Sequence, residues 1–305
     1  MTAQRRRWLQ IAVSALALGG VIWWFSGQDM PSLPSFGEAV GPLSAALGLY
    51  LLATLLRGER WHRLLGHGAR ADAYALTTVG YMGNNALPAR AGDILKAFLS
   101  AGHTGAAKRH AFGTLVAERL LDVLALVLVF AIVVLAGDLP LGIAPWMLAV
   151  IGAVLVIAAA LVLLAAPRLR GLVGGLIAPS RQLLSARGAA LFLLSVVLWL
   201  AEGGVYAVLG KVAGVHLSLS DGFYVMAIAN VAAMIPAAPG YVGTFDAAVV
   251  LGIRLAGAGS SAVALPYVVL VRFVLFVPIT VVGLVLLLAR YGGFATARAA
   301  MNPQN

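Results

Sequence analysis

The chain has 305 residues, 62% of them hydrophobic and only 10% charged, with a mean hydropathy of +0.98. A soluble domain carries about 25% charged and 45–50% apolar residues, so this composition describes an integral membrane protein. The formal charge of +10 does not point to nucleic acid, because most Lys and Arg fall in short segments between apolar runs; the absence of cysteine excludes disulfides, thiolate metal sites and a Cys nucleophile.

Arg5, Arg6 and Arg7 precede a first apolar run, Trp8 to Phe25. The Arg pair before Trp8 resembles a twin-arginine export signal, but the spans that follow favour a retained first helix. A turn-rich loop from Gly27 to Glu38 holds two acids and no Lys or Arg. A second span, about Val40 to Leu56, ends in a basic loop with Arg57, Glu59, Arg60, His62, Arg63, His67 and Arg70. Arg57, Arg60 and Arg63, like the later Arg168–Arg187 set, read as orientation signals attracted to anionic lipid.

Residues 73–101 then form an interrupted segment, broken by Asn84, Asn85, Pro88, Arg90, Gly92, Asp93 and Lys96. Neither arm approaches the roughly 20 residues needed to cross a bilayer, so the pattern predicts a helix–break–helix hairpin that enters and leaves on one side. Basic loops on both flanks agree. Spans three (Glu118 to Ala136), four (about Pro145 to Ala166) and five (Ala189 to Leu209) follow. A second interrupted segment, 222–255, breaks at Pro239-Gly240-Tyr241-Val242-Gly243, and the last span runs from Ala262 to Ala289.

The predicted fold is therefore an all-α polytopic membrane protein: one integral domain, 1–305, of six transmembrane helices plus two re-entrant hairpins. The positive-inside bias puts both termini in the cytoplasm. Residues 1–140 and 141–305 then start on opposite sides of the membrane and form an inverted-topology repeat. Pro88-x-x-x-Gly92 and Pro239-x-x-x-Gly243 fall at matching places in the two halves. Paired interrupted segments of this kind hold substrate near the bilayer midplane in transporters. Eight ordinary spans, four of them short helices tilted or kinked at Pro, is the other reading.

Ionisable groups inside spans cost about 2.5–3.5 kcal/mol each on insertion scales and need a partner or a purpose. Here they are Arg90, Asp93 and Lys96; Glu118, Arg119 and Asp122; Glu202; Asp246 and Arg254; and Arg272. Glu118 and Asp122, four apart, share a helical face and repel unless a cation lies between them. Arg90 and Arg272 are candidates for that cation, each also suited to hold a lipid phosphate bidentately. Internal salt bridges joining hairpins to spans account for the same residues. Gly240, Gly243 and Thr244 begin the last hairpin arm, whose free N–H groups favour an anion. Taken singly, Asp93 reads as a helix N-cap.

Three ordered motifs carry a resemblance: Asn85-x-x-Pro88-x-Arg90-x-Gly92-Asp93-x-x-Lys96; Glu118-Arg119-x-x-Asp122; and Pro236-x-x-Pro239-Gly240-x-x-Gly243-x-x-Asp246. Over nearly its whole length the chain resembles the lysylphosphatidylglycerol synthase transmembrane-region family, which includes the flippase-like membrane part of the bacterial multiple peptide resistance factor. It departs in having Asp93 and Asp246 for Glu, Lys96 for Arg and Tyr241 for Gly. The chain stops soon after span six, so a soluble aminoacyl-transferase domain is not expected. The resemblance implies moving a lipid across the bacterial cytoplasmic membrane rather than making lysyl-lipid.

The leading expectation is a lipid flippase acting on an anionic phospholipid or a polyprenyl-phosphate-linked lipid by alternating access, with no enzymatic step, cofactor or metal. Asn85, Arg90, Lys96, Arg272, Gly240, Gly243 and Thr244 are the predicted headgroup contacts. Asp93, Glu118, Arg119, Asp122, Glu202 and Asp246 are the predicted charge or coupling network. Two other classes compete. One is a membrane enzyme holding Mg2+ on Asp93, Glu118 and Asp122, although the five scattered His offer no ligand spacing. The other is a non-catalytic partner of a lipid synthase or glycosyltransferase.

Overall fold

The computed structural model describes residues 35–87, 90–136, 179–233, 239–259 and 261–293. The predicted first and fourth spans, Arg168, Arg170 and Pro236 lie outside the described residues. All regular structure among the described residues is helical: α1 (Phe36–Leu65), α2 (Arg70–Ala86), α3 (Ala91–Thr104), α4 (Lys108–Ala136), α5 (Ala186–Ala213), α6 (Leu219–Ala233), α7 (Thr244–Leu255) and α8 (Ser261–Arg290). Short 3-10 turns sit at Gln182–Leu184 and Pro239–Tyr241. The chain is an all-α membrane protein.

Local chemistry sets the helix ends. The Ser35 N–H and hydroxyl both donate to the Glu38 carboxylate, at 3.0 and 2.7 Å, which starts α1. That helix runs nine residues beyond the predicted end at Leu56, carrying Arg57, Glu59, Arg60, His62 and Arg63 in helical turns. It stops at Gly66, whose φ of +65° gives the left-handed cap that glycine takes without strain. Gly214 closes α5 in the same way. Between α2 and α3, Leu87 is extended (φ −111°, ψ 149°), the conformation that a following proline favours.

Three helices, within α1, α5 and α8, are long and apolar enough to cross a membrane among the described residues. Their outer faces carry exposed Leu51, Leu55, Leu193, Val281, Val285 and Leu288, a surface suited to lipid tails. The arms α2, α3, α6 and α7 have 17, 14, 15 and 12 residues. At 1.5 Å per residue they span roughly 18–26 Å, less than the ~30 Å hydrocarbon core. Each pair of arms packs together: α2 on α3 and α6 on α7; α2 also lies along α8, α1 along α5, and α4 and α6 against α5.

Small residues make the first pair close. A Cβ on Gly92 would fall 2.0 Å from the Gly80 carbonyl oxygen and 2.3 Å from the Asn84 nitrogen. The backbones of α2 and α3 touch there because neither side presents a side chain, the packing mode that lipid-embedded helices favour.

Candidate functional site

The two backbone breaks meet each other. The Arg90 guanidinium donates to the Ala233 carbonyl at 3.3 Å, at the end of α6, and lies over the Tyr241 ring. Gly240, in the second break, abuts the Asn85 carbonyl at the end of α2. At this junction opens a cavity of about 100 Å3. Its polar lining comes from Arg57 on α1, Asn84 and Asn85 on α2, Arg90, Arg119 and Asp122 on α4, Glu202 on α5 and Asn230 on α6. Aromatic side chains complete the wall, among them Tyr50, Tyr81, Trp199, Tyr206, Tyr241 and Phe245.

From this wall into the bundle runs a string of ion pairs. Lys96 meets Glu118 at 2.6 Å, and Glu118 lies 3.7 Å from Arg60. Arg60 contacts Asp122 at 2.7 Å and the Ser195 hydroxyl at 2.9 Å. Asp122 meets Arg119 at 3.3 Å; Arg119 is 3.7 Å from Asp93, and Asp93 is 3.7 Å from Arg90. Arg57 pairs separately with Glu202, which also accepts from Asn230 at 3.3 Å. Lys96 sits over the Trp61 ring, whose indole N–H donates to Thr114. The expected cation between Glu118 and Asp122 exists, but it is Arg60 rather than Arg90 or Arg272.

Arg57 and Arg60 correct the reading of the basic loop after span two. They are 5% and 0% exposed, and both are ion-paired inside the protein. Since α1 continues to Leu65, the three-residue spacing points both into the bundle, towards α4 and α5. Arg63, in contrast, is 50% exposed and pairs with Glu59 at 2.8 Å on the surface of the same helix. The capping role expected of Asp93 also moves. The Asp93 N–H donates to the Asn84 side-chain oxygen at 3.1 Å, while the Asn84 amide donates to the Asp93 carboxylate at 3.0 Å. Asn84 thus caps α3 from the opposite arm.

The second break has its own clamp. Arg272 on α8 binds both oxygens of Asp246, and donates to the carbonyls of Gly240 at 2.9 Å and Tyr241 at 3.3 Å. The Gly243 N–H, expected to be free for an anion, donates to Asp246 at 2.9 Å instead, and Thr244 Oγ1 donates to the Tyr241 carbonyl. Gly243 holds φ +86°, which a side chain resists, so the turn into α7 needs glycine here.

Of the predicted site residues, the cavity lining therefore includes Asn85, Arg90, Arg119, Asp122 and Glu202. Lys96, Asp93 and Glu118 stand in the ion-pair string behind it. Arg272, Asp246, Gly240, Gly243 and Thr244 form the clamp. Asn85 also ties the first break to α8, through Thr280 at 2.9 Å. Sequence reasoning missed Arg57, Arg60, Tyr81, Trp199, Tyr206 and Asn230, and it placed Asn84 at the break without giving it a site role. Of those missed, only the arginines left a signal, as basic residues three apart at the end of an apolar helix.

The carboxylates weighed as Mg2+ ligands are each held by Lys or Arg, and no cluster of three or more His, Asp or Glu suited to a metal occurs among the described residues. No curated protein matches the chain in sequence. A family model described as the lysylphosphatidylglycerol synthase TM region matches residues 7–283, which take in all three motifs and every residue of the cavity wall. The chain belongs to the lysylphosphatidylglycerol synthase transmembrane-region family.

Proposed function

We propose that this protein is a lipid transporter of flippase type that moves a lipid with an anionic headgroup between leaflets, the headgroup passing through the cavity at the two breaks. The reading rests on one observation: Arg57, Arg90 and Arg119 line a cavity where both helix interruptions touch. Broken backbone at membrane depth is tolerated where it is buried in protein or lines a watery cavity. Guanidiniums held there by protein partners are suited to a phosphate that has left the headgroup layer.

In this proposal residues 73–101 and 222–255 are re-entrant hairpins of an inverted repeat, 1–140 and 141–305, with both termini cytoplasmic. A backbone likeness supports the repeat. Among the described residues the non-glycine positions with positive φ are Arg90 (56°) and Tyr241 (55°). They lie two residues after Pro88 and two after Pro239. Such conformations cost about 1–3 kcal/mol and concentrate at functional sites.

The test is movement of fluorescent lipids in proteoliposomes, read by protection from dithionite. Purified protein is expected to move anionic lipids faster than zwitterionic ones, and Arg90→Ala to lose that movement while staying folded. Folded protein that moves no lipid would instead favour a non-catalytic partner of a lipid synthase or glycosyltransferase.

A further inference from the structure

Glu202 stands on the face of α5 that also carries Trp199 and Tyr206, three residues before it and four after, and all three line the cavity. Its cation is Arg57 on α1, which lines the cavity as well. The Tyr81 and Trp199 rings lie against that guanidinium, with centroids 5.2 and 5.8 Å away, so its polar contacts are made at the N–H edge. Two buried donors beside Glu202, Trp199 Nε1 and the Tyr206 hydroxyl, have no partner among the described residues. Buried donors are normally paired, which points to a polar group arriving at this part of the wall.

The two carboxylates of the cavity lining differ in what they lose when an anion takes a cation from them. Asp122 on α4 is held by both Arg60 and Arg119, so giving up Arg119 leaves it Arg60 at 2.7 Å. Glu202, giving up Arg57, keeps the neutral Asn230 amide of α6 at 3.3 Å. The other titratable groups at its side are phenols: Tyr50 on α1, Tyr81 on α2, Tyr206, and Tyr267 on α8, whose hydroxyl donates to the Tyr206 carbonyl. The apolar runs outside the described residues, 8–25 and 145–166, contain no Lys, Arg or His to replace Arg57. A carboxylate without a cation in a poorly solvating interior neutralises rather than staying charged. We infer that headgroup binding is coupled to uptake of a proton: the anion replaces Glu202 on Arg57, and Glu202 takes one proton from solution. This rests on the transport reading above and adds what drives it. When the headgroup leaves, Arg57 returns to Glu202 and the proton is released, so anion and proton travel together and a pH gradient can power the movement. Linkage is reciprocal, so acid favours anion binding as much as the anion favours protonation.

The test uses the full chain in detergent, with short-chain phosphatidylglycerol as the anionic probe and short-chain phosphatidylcholine as the zwitterionic control. In weakly buffered solution near pH 7, binding of phosphatidylglycerol is expected to take up about one proton per lipid bound, and phosphatidylcholine none. Affinity for phosphatidylglycerol should rise at least about tenfold from pH 8 to pH 6, since one linked proton allows up to about tenfold per pH unit. Glu202→Gln, a neutral stand-in for the protonated acid, should bind at pH 8 as tightly as the unmodified protein does at pH 6 and take up no proton. Histidines titrate in this range in both proteins, so the difference between them isolates Glu202. Absence of proton uptake by the unmodified protein, or an unchanged pH dependence in folded Glu202→Gln, would overturn the inference; if that variant does not fold, proton uptake by the unmodified protein decides. Lipid movement in proteoliposomes without proton uptake overturns the coupling and leaves the transport reading standing, whereas proton uptake without lipid movement does the reverse. No binding of phosphatidylglycerol at either pH overturns the coupling.

Discussion

Arg60 lies fully buried where α1, α4 and α5 converge, with Asp122, Glu118 and Ser195 around its guanidinium. Removing one member of a buried ionic group leaves the others unmatched in a medium that solvates them poorly, which costs about 3–5 kcal/mol. Arg60→Met should therefore lower the thermal unfolding midpoint in detergent sharply. Arg63→Met, three residues on and half-exposed, should change stability by no more than about 0.5 kcal/mol. Similar losses from both would mean that Arg60 is solvated in the membrane-embedded protein. The sequence places both arginines in one basic stretch and offers no local means of telling them apart. Burial separates them, and burial depends on which helices pack against α1.

The two interruptions are built by different devices, and the same substitution strategy should expose the difference. In the first, α2 and α3 touch backbone to backbone at Gly92. Gly92→Ala puts a methyl group 2.0 Å from the Gly80 carbonyl oxygen, so the arms must part. Gly48→Ala in α1 meets nothing within 4 Å and should leave stability within about 1 kcal/mol. Limited proteolysis between residues 86 and 91 should report opening in the first variant alone. In the second interruption the break is held by Arg272, through Asp246 and two backbone carbonyls. Arg272→Ala is expected to lose stability and transport together, whereas Arg90→Ala loses transport with little change in melting temperature. Equal melting temperatures for the two variants would remove the positioning role from Arg272. Proline made both breaks legible only together with the glycines and polar groups beside it, since Pro42, Pro266 and Pro278 stand inside continuous helices. The clamp was not legible, since Arg272 and Asp246 are 26 positions apart and meet only through the packing of α7 on α8.

At the scale of the molecule, the breaks from the two halves of the chain sit against each other around one cavity. If transport needs them to separate, fixing the first break to α8 should stop it. Asn85 and Thr280 are in side-chain contact at 2.9 Å, and the sequence has no cysteine of its own. Asn85→Cys with Thr280→Cys should thus form a cross-link that arrests lipid movement and releases it on reduction. Full activity in the oxidised form would show that α2 and α8 travel together.

Sequence alone determined that this is a helical membrane protein, where its chain is interrupted, and that the interruptions carry ionisable groups. Those features depend on hydropathy, proline and glycine, whose effects are local. Tertiary structure alone decided which cation serves which carboxylate, that Arg57 and Arg60 belong to the interior, and that Asn84 rather than Asp93 does the capping. Helical periodicity states which face a residue occupies, but the partner across that face is fixed by non-local packing. In a low-dielectric interior, that partner decides what the charge does.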